Sequence, residues 1–316
     1  MREGPDNIRV SIVVPSYSRP NMLEEAIRSI LSQTYEDFEV IVVDDGSPKP
    51  LKNVIDKISD KRVRYYRLDK NKGANVARNA GIDKATGNYI AFLDDDDRWE
   101  QSKLEEQVTV LDNNPNIGFA YTGQKFVDET GKVIKTKIPS QSGDVKKYLL
   151  RGGYIGGFSS IMLRENLISI AGKPDPELPI LQDTEWWLRL SKKAHFTPIE
   201  KPLVIRRMGD YQQIGDKYEQ LRDVAYPKVY NKHKQMAADE GIVYKLLFKS
   251  YLLNYIGSLA LSKGRSNDAR EYLLKSWLCN PFSVDSALRF IISLGGSRMY
   301  HKIRAIVNKL HPKRKR

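Results

Sequence analysis

Two rhythms of apolar residues alternate along about the first two thirds of the chain. Unbroken, β-branched runs bounded by turn residues predict strands buried on both faces: "VSIVVPSY" (10–17), "FEVIVVDDGS" (38–47), the shorter "RVRYYRL" (62–68) and "YIAFL" (89–93). Between them the spacing becomes helical. In "NMLEEAIRSILSQ" Met22, Leu23, Ala26, Ile27, Ile30 and Leu31 fall on one face, with Asn21 as the expected cap. A second helix is predicted at about 51–59, and a third, of small residues, in "ANVARNAGIDKA" (74–85). Strand, helix, strand, helix at this spacing predicts an α/β fold, a mostly parallel sheet with helices on both faces.

Beyond residue 215 the pattern is helical throughout, broken at Gly241, Gly264, Pro281 and Gly295-Gly296. "NDAREYLLKSWLCNPFS" (267–283) resembles half of a tetratricopeptide-type hairpin, in a single copy. The last predicted helix, "SRMYHKIRAIVNKL", has Met299, Ile303, Ile306, Val307 and Leu310 on one face and basic residues on the others, followed by "HPKRKR". Charge marks the same boundary: residues 216–316 carry 20 Lys and Arg against 8 Asp and Glu, which is +12 of the net +13. The predicted domains are therefore 1–215, near neutral, and 216–316, basic and helical.

Composition narrows the classes. At 316 residues, 41% hydrophobic and 29% charged, the chain reads as globular. No window of about 18 apolar residues is present to span a membrane. "MREGPDNIRV" lacks the apolar run of a signal peptide, and Cys279 is the only cysteine, so a reducing, cytoplasmic location is expected. A basic amphipathic end also suits peripheral contact with the anionic inner face of a cell membrane. Nucleic acid is the other partner of a basic chain, but no RNA- or DNA-binding motif accompanies the charge.

The chemistry concentrates in "AFLDDDDRWE" (91–100), where Asp94, Asp95, Asp96 and Asp97 follow a strand. Adjacent carboxylates repel and need a positive partner. In parallel sheets ligands gather beyond the carboxyl ends of the strands, and Pro15-Ser16-Tyr17, Asp44-Asp45 and Asp94–Asp97 all lie at such ends. A crevice so acidic repels a bare phosphate but accepts a hard divalent cation, Mn²⁺ or Mg²⁺, which bridges to a diphosphate. The alternative is a solvated acidic turn. No G-x-x-x-x-G-K-[ST], no G-x-G-x-x-G after a strand and no G-x-S-x-G is present, and His195, His233, His301 and His311 are too scattered for a zinc site.

Three stretches in order, "VSIVVPSYSRPNMLEEAIRSILSQTYEDFEVIVVDDGS", "NKGANVARNAGIDKATGNYIAFLDDDDRW" and "LQDTEWWLRLSKKA", resemble the successive motifs of the family 2 glycosyltransferases of GT-A fold. The resemblance covers residues 8 to about 205. It implies transfer of a sugar from a nucleoside diphosphate donor to an acceptor hydroxyl, with inversion and a divalent metal. Residue by residue, it implies that Tyr17 stacks on the nucleobase beside the Pro15 backbone and that Asp45, with Asp44 next to it, accepts from a uracil imide. It further implies that Arg78 reaches the base or diphosphate, that Asp94 faces the ribose, that Asp95 fills a variable position and that Asp96 holds the metal. Asp97 is either a supporting group around the metal or the N-cap of the helix that follows. Ordinary structural roles compete: Tyr17 as a core aromatic, Arg78 as a surface helix residue.

Inverting transfer needs a base for the acceptor hydroxyl. In "LQDTEWWLRL" (181–190) the resemblance implies Asp183, with Glu185 nearby; the residue before Asp183, usually Glu in the family, is Gln182 here. Losing that neighbouring charge is expected to leave Asp183 less perturbed. "GGYIGGFSSIMLRENL" (152–167) resembles the acceptor-side segment, with Ser159 or Ser160 as sugar contacts, and "RRMGDYQQIGDK" (206–217) a lid over the donor. The expected acceptor is a glycan or a lipid-linked glycan. Two other readings share these residues: a nucleotidyltransferase on the same metal site, for which "PSYSRPN" offers only Arg19 to a triphosphate, and a non-catalytic binding protein.

Overall fold

The computed structural model describes residues 8–208 and 218–296. The lid stretch 209–217, the last predicted helix and "HPKRKR" lie outside the described residues. In chain order the elements are β1 (Val10–Ser16), α1 (Pro20–Leu31), β2 (Phe38–Asp44), α2 (Lys52–Ile58), β3 (Val63–Arg67), α3 (Ala74–Ile82), β4 (Tyr89–Phe92), β5 (Asp97–Trp99) and α4 (Lys103–Asn113). There follow β6 (Ile117–Val127), β7 (Val133–Lys137), α5 (Lys146–Leu150), β8 (Ile161–Arg164), α6 (Glu165–Ala171), α7 (Gln182–Leu190) and β9 (His195–Arg207).

By internal contacts the chain divides into two compact units. The first holds residues 1–145, 155–177 and 189–209; the second takes 146–154, 178–188 and 210–316. The division is thus not a single cut near residue 215, because two short segments from the middle of the chain belong with the basic helices.

The first unit is a mixed sheet in the order β3-β2-β1-β4-β8-β6-β9-β5, with β7 on β6. The parallel character expected from the strand–helix alternation holds for β3-β2-β1-β4, while β8, β5 and β7 run antiparallel to their neighbours. Every residue of β1 and β2 is buried, as their unbroken apolar runs require. Val10, Ile12, Val14, Val40 and Val42 pack on one face with Leu23, Ala26, Ile27 and Ile30 of α1 and Leu104, Val108 and Leu111 of α4. Ile41 and Val43 meet Ala77 of α3 on the other. Gly81 permits this second contact: a Cβ there would lie 2.4 Å from Cγ1 of Val13.

Two predicted caps are corrected. Pro20, not Asn21, opens α1, because proline's fixed φ suits a first helical position that needs no N–H donor. Asp97 is not a helix cap: it begins β5, and α4 starts six residues later behind Ser102.

In the second unit α8 (Tyr218–Gln220) runs through a π-helical turn at Leu221–Ala225 into α9 (Tyr226–Asp239), followed by α10 (Ile242–Ser262), α11 (Ser266–Cys279) and α12 (Val284–Leu294). Phe248, Leu252, Leu253, Ile256, Ala260 and Leu261 of α10 are buried, and α11 packs on α10 and α12 on α11. Hydroxyls knit the three helices: Ser276 Oγ donates to Ser250 O at 2.8 Å and lies 3.0 Å from Ser286 Oγ. Among the described residues no helix is long and apolar enough to cross a membrane.

Candidate active site

The ends of β1 and β2 are level, Ser16 opposite Asp44, and the chain leaves β4 beside them, Leu93 N–H donating to Val13 O at 3.1 Å. It then turns at once. Asp94–Asp97 are the four positions of one turn closed by Asp97 N–H to Asp94 O at 3.0 Å. The side chains of Asp94 and Asp96 are 29% and 32% exposed, whereas Asp95 and Asp97 are buried. The D-x-D spacing is thereby translated into two accessible carboxylates.

Arginines answer the charge. Arg78 Nη2 donates to Asp94 Oδ1 at 2.6 Å, its Nη1 to Asn75 Oδ1 at 2.9 Å, and its guanidinium lies 3.9 Å from the Phe158 ring centre. Arg78 is buried, so it is not a surface helix residue; it is engaged with Asp94. Arg19 Nη1 reaches Asp95 Oδ1 and Asp96 Oδ2, each at 3.1 Å, and Asp95 Oδ2 accepts from Ser16 Oγ at 2.6 Å. Arg206 contributes a third positive field on Asp96 and Asp97. Even so, burial, reinforced by Asp96 and Asp94, pushes the Asp95 carboxyl up to about 6 despite Ser16 and Arg19. Burial and then Asp96 push Asp97 up to about 8, and burial and then Asp94 raise Asp96.

Asp97 is seated by Ser159. Ser159 Oγ donates to Asp97 Oδ2 at 2.6 Å and accepts from Asp94 N–H at 3.1 Å, while its carbonyl takes the Trp99 indole N–H at 2.8 Å. Ser160 Oγ donates to Gly157 O at 2.8 Å. Both serines, the expected sugar contacts, are buried, with their hydroxyls hydrogen-bonded within the protein. Below them Gln107 donates to Ser160 O at 3.1 Å and accepts from the buried Lys103, whose amine lies 3.8 Å from the Trp99 ring centre. Burial holds that amine well below the usual lysine range.

At the end of β2 the two acids divide their work. Asp44 is fully buried and accepts from Ser47 N–H at 2.9 Å, Leu51 N–H at 3.1 Å and Tyr65 O–H at 2.6 Å. Burial works to raise it, but these bonds prevail and hold it low. It fixes Ser47, whose Oγ accepts from Ser18 N–H at 2.9 Å. Ser18 is thereby kept at φ +57°, with Tyr17 and Arg19 on either side of it. Tyr17, 41% exposed, is not a core aromatic. Pro15 is buried in β1 opposite Val43. Asp45 accepts from Lys72 and Gly73 N–H, both at 2.8 Å, and burial, the larger influence, raises it.

The second unit carries the other candidates. Leu181 takes φ +62°, unusual for a bulky side chain, and α7 begins immediately after it. Gln182 Nε2 donates to Leu178 O at 2.7 Å, a bond that a glutamate at this position would replace with repulsion. Half-buried Asp183 accepts from Thr184 N–H at 2.7 Å. Glu185 is fully buried, 2.7 Å from Lys232 Nζ and 3.3 Å from His233 Nε2, and so anchors α9. Tyr251, hydrogen-bonded to Thr184, is pushed up to about 12 by burial, with the Asp183 charge adding to it.

The pairing of Arg19 and Ser16 with the aspartates, the contact of Phe158 with Arg78 and the support role of Ser159 are not evident in the sequence. The signal for Arg19 was present: four carboxylates need cations, and it is the one arginine in the β1–α1 connection. For metal binding, Asp94 and Asp96 fit a hard divalent cation, being accessible, two residues apart and mutually repelling. Among the described residues no three acidic, His or Cys groups converge as a ready-made cage.

The profile described as Glycosyl transferase family 2 matches residues 11–168. The chain is 36% identical over 219 residues to UDP-Glc:alpha-D-GlcNAc-diphosphoundecaprenol beta-1,3-glucosyltransferase WfgD of Escherichia coli, covering 69% of this chain and 84% of that one. With three other relatives, 39% to 43% identical, it shares a stretch amounting to only 20% to 22% of their length. The fold is similar to that of TarS of S. aureus in complex with UDP, at a TM-score of 0.58 and 17% identity, over 93% of this chain and 91% of that one. It is equally similar to the mannosyltransferase PcManGT of Pyrobaculum calidifontis in complex with GDP-Man and Mn²⁺, at a TM-score of 0.58 and 14% identity, over 97% and 88%. The aspartate turn at the carboxyl end of β4 falls inside the matched profile, and on that match and the identity with WfgD the chain belongs to glycosyl transferase family 2.

Proposed function

We propose that the chain transfers a sugar from a nucleoside diphosphate donor, UDP favoured, to an acceptor hydroxyl with inversion, in assembly of a surface polysaccharide or lipid-linked glycan. The observation that carries this reading is the aspartate turn, with two carboxylates open and two buried, beside an exposed Tyr17. Tyr17 offers a ring face to the base. Asp45 has two carboxylate oxygens and about four lone-pair sites, of which two are used, so an imide N–H still finds an acceptor. Asp96, with Asp94 beside it, would hold Mn²⁺ or Mg²⁺, whose chemistry is to neutralise charge on the departing diphosphate. Asp183 takes the proton of the acceptor hydroxyl as that oxygen bonds to the anomeric carbon and the bond to the diphosphate oxygen breaks. WfgD and the UDP-bound TarS favour UDP and a lipid diphosphate acceptor; PcManGT keeps GDP as the second choice.

The test is a thermal-shift panel of UDP, GDP, CDP, dTDP and ADP, each with and without Mn²⁺. Ligand at about 100 times its dissociation constant stabilises by about 2.7 kcal/mol, so one nucleotide is expected to raise the midpoint by several degrees, and only with metal. No shift in any well would overturn the reading and favour a non-catalytic protein. The second reading is a nucleotidyltransferase on the same metal site, disfavoured because the β1–α1 connection offers only Arg19 to a triphosphate.

Contact with an anionic membrane through the second unit belongs to the same proposal. Val284, Leu288, Ile291 and Leu294 form an exposed apolar stripe on α12, and the nearby Phe282 is 94% exposed. The net charge of residues 216–316, 20 Lys and Arg against 8 Asp and Glu, selects anionic lipid as its occupant. Flotation with vesicles containing phosphatidylglycerol is expected to carry the protein, and Leu288→Glu with Ile291→Glu to release it. Equal flotation of both would refute the stripe as the contact; a concentration-dependent dimer lost in the variant would assign it to a second copy instead.

A further inference from the structure

We propose that Arg19 is a resident counter-ion that competes with the divalent cation for Asp96 and so makes metal binding depend on the donor's diphosphate. The inference rests on Asp96 being the metal ligand, as proposed above.

The argument begins with how Arg19 is aimed. It precedes Pro20, which keeps it out of helical geometry; its φ and ψ are −127° and 62°. Ser18, before it, is held left-handed by its bond to Ser47. These two constraints come from α1 and the β2 end, not from the aspartates. They direct a guanidinium whose Nη1 is shared between two carboxylates, 3.1 Å from each.

The two partners are unequal. Asp95 is buried and further fixed by Ser16, so it is a permanent anchor. Asp96 and Arg19 are each about a third exposed, so that contact is the exchangeable one. In the absence of metal, Arg19 offsets the repulsion between Asp96 and Asp94. A divalent cation does the same work with twice the charge, and both together on one carboxylate repel each other. A diphosphate resolves the conflict by offering the guanidinium a new anionic partner of matching fork geometry. Metal and diphosphate therefore favour each other's binding through Arg19, and the coupling is reciprocal. No titration is involved, since arginine stays charged. Arg206 continues to act on Asp96 and Asp97 when Arg19 is removed, so the turn retains a cation.

The experiment follows free Mn²⁺ by electron paramagnetic resonance as it is taken up by wild type, Arg19→Ala, Arg19→Lys and Asp96→Asn, each with and without UDP and, separately, GDP. In wild type the nucleotide that shifts the melting midpoint is expected to tighten Mn²⁺ about tenfold, within the usual range of such couplings. Arg19→Ala is expected to bind Mn²⁺ alone about tenfold more tightly than wild type and to lose most of the nucleotide effect. Arg19→Lys keeps the charge without the fork and falls between them; it also decides the matter if the alanine variant does not fold. Unchanged or weaker Mn²⁺ binding in both Arg19 variants, with the nucleotide effect intact, would overturn the counter-ion role while leaving the metal site standing. Undiminished Mn²⁺ binding by Asp96→Asn would instead remove the metal assignment, and this inference with it.

Discussion

Asp183→Asn lowers the rate of sugar transfer by about 10²–10⁴-fold, the usual contribution of a positioned base, and leaves the metal-dependent thermal response to nucleotide as in wild type. The replacement is nearly isosteric, and Asn Oδ1 still accepts from Thr184 N–H, so the first turn of α7 is preserved. Only basicity is lost. Gln182 makes this a cleaner experiment than a Glu-Asp pair would allow, because no adjacent carboxylate stands ready to take over the proton. The measurement is nucleotide release from the sugar conjugate of whichever nucleotide shifts the melting midpoint, in the presence of acceptor, run beside the thermal-shift panel. Turnover near the wild-type rate would remove Asp183 as the base. Loss of the nucleotide response together with activity would mean that α7 supports donor binding instead.

What could be read in the sequence was local and periodic. The unbroken runs of β1 and β2 announce strands covered on both faces, and the position of Asp94–Asp97 after "YIAFL" places them at a strand end. What escaped was set by partners far along the chain. Asp97 reads locally as a cap, yet its partner is Ser159, 62 residues away, and pairing with β9 makes it the first residue of a strand. Arg78 reads as a ligand contact or as a surface residue of a small-residue helix, and nothing local announces Asp94 and Phe158 as its partners. Asp44 and Asp45 are adjacent and chemically identical, and only the loops that return to them, through Ser47 and Tyr65 for one and Lys72 and Gly73 for the other, tell the two apart.

Asp183 and Glu185 pose the same problem within a single helix, and the second large effect separates them. Glu185→Ala destabilises the protein by about 3–5 kcal/mol, the cost of breaking a buried ion pair from one side. The carboxylate is fully buried and receives Lys232 and His233 from α9, so its removal leaves a nearly inaccessible imidazole and an amine without their shared acceptor. The midpoint of thermal unfolding is expected to fall by on the order of 10 °C. Glu185→Gln retains an acceptor oxygen for both neighbours and is expected to lose substantially less. At a temperature where each variant remains folded, kcat for transfer stays within about threefold of wild type, because the group is spent on packing α7 against α9; an effect that small is well below that of a catalytic carboxylate. The opposite pattern, an unchanged midpoint with a collapsed kcat, would return Glu185 to the acceptor side and make the helix a two-carboxylate catalytic element.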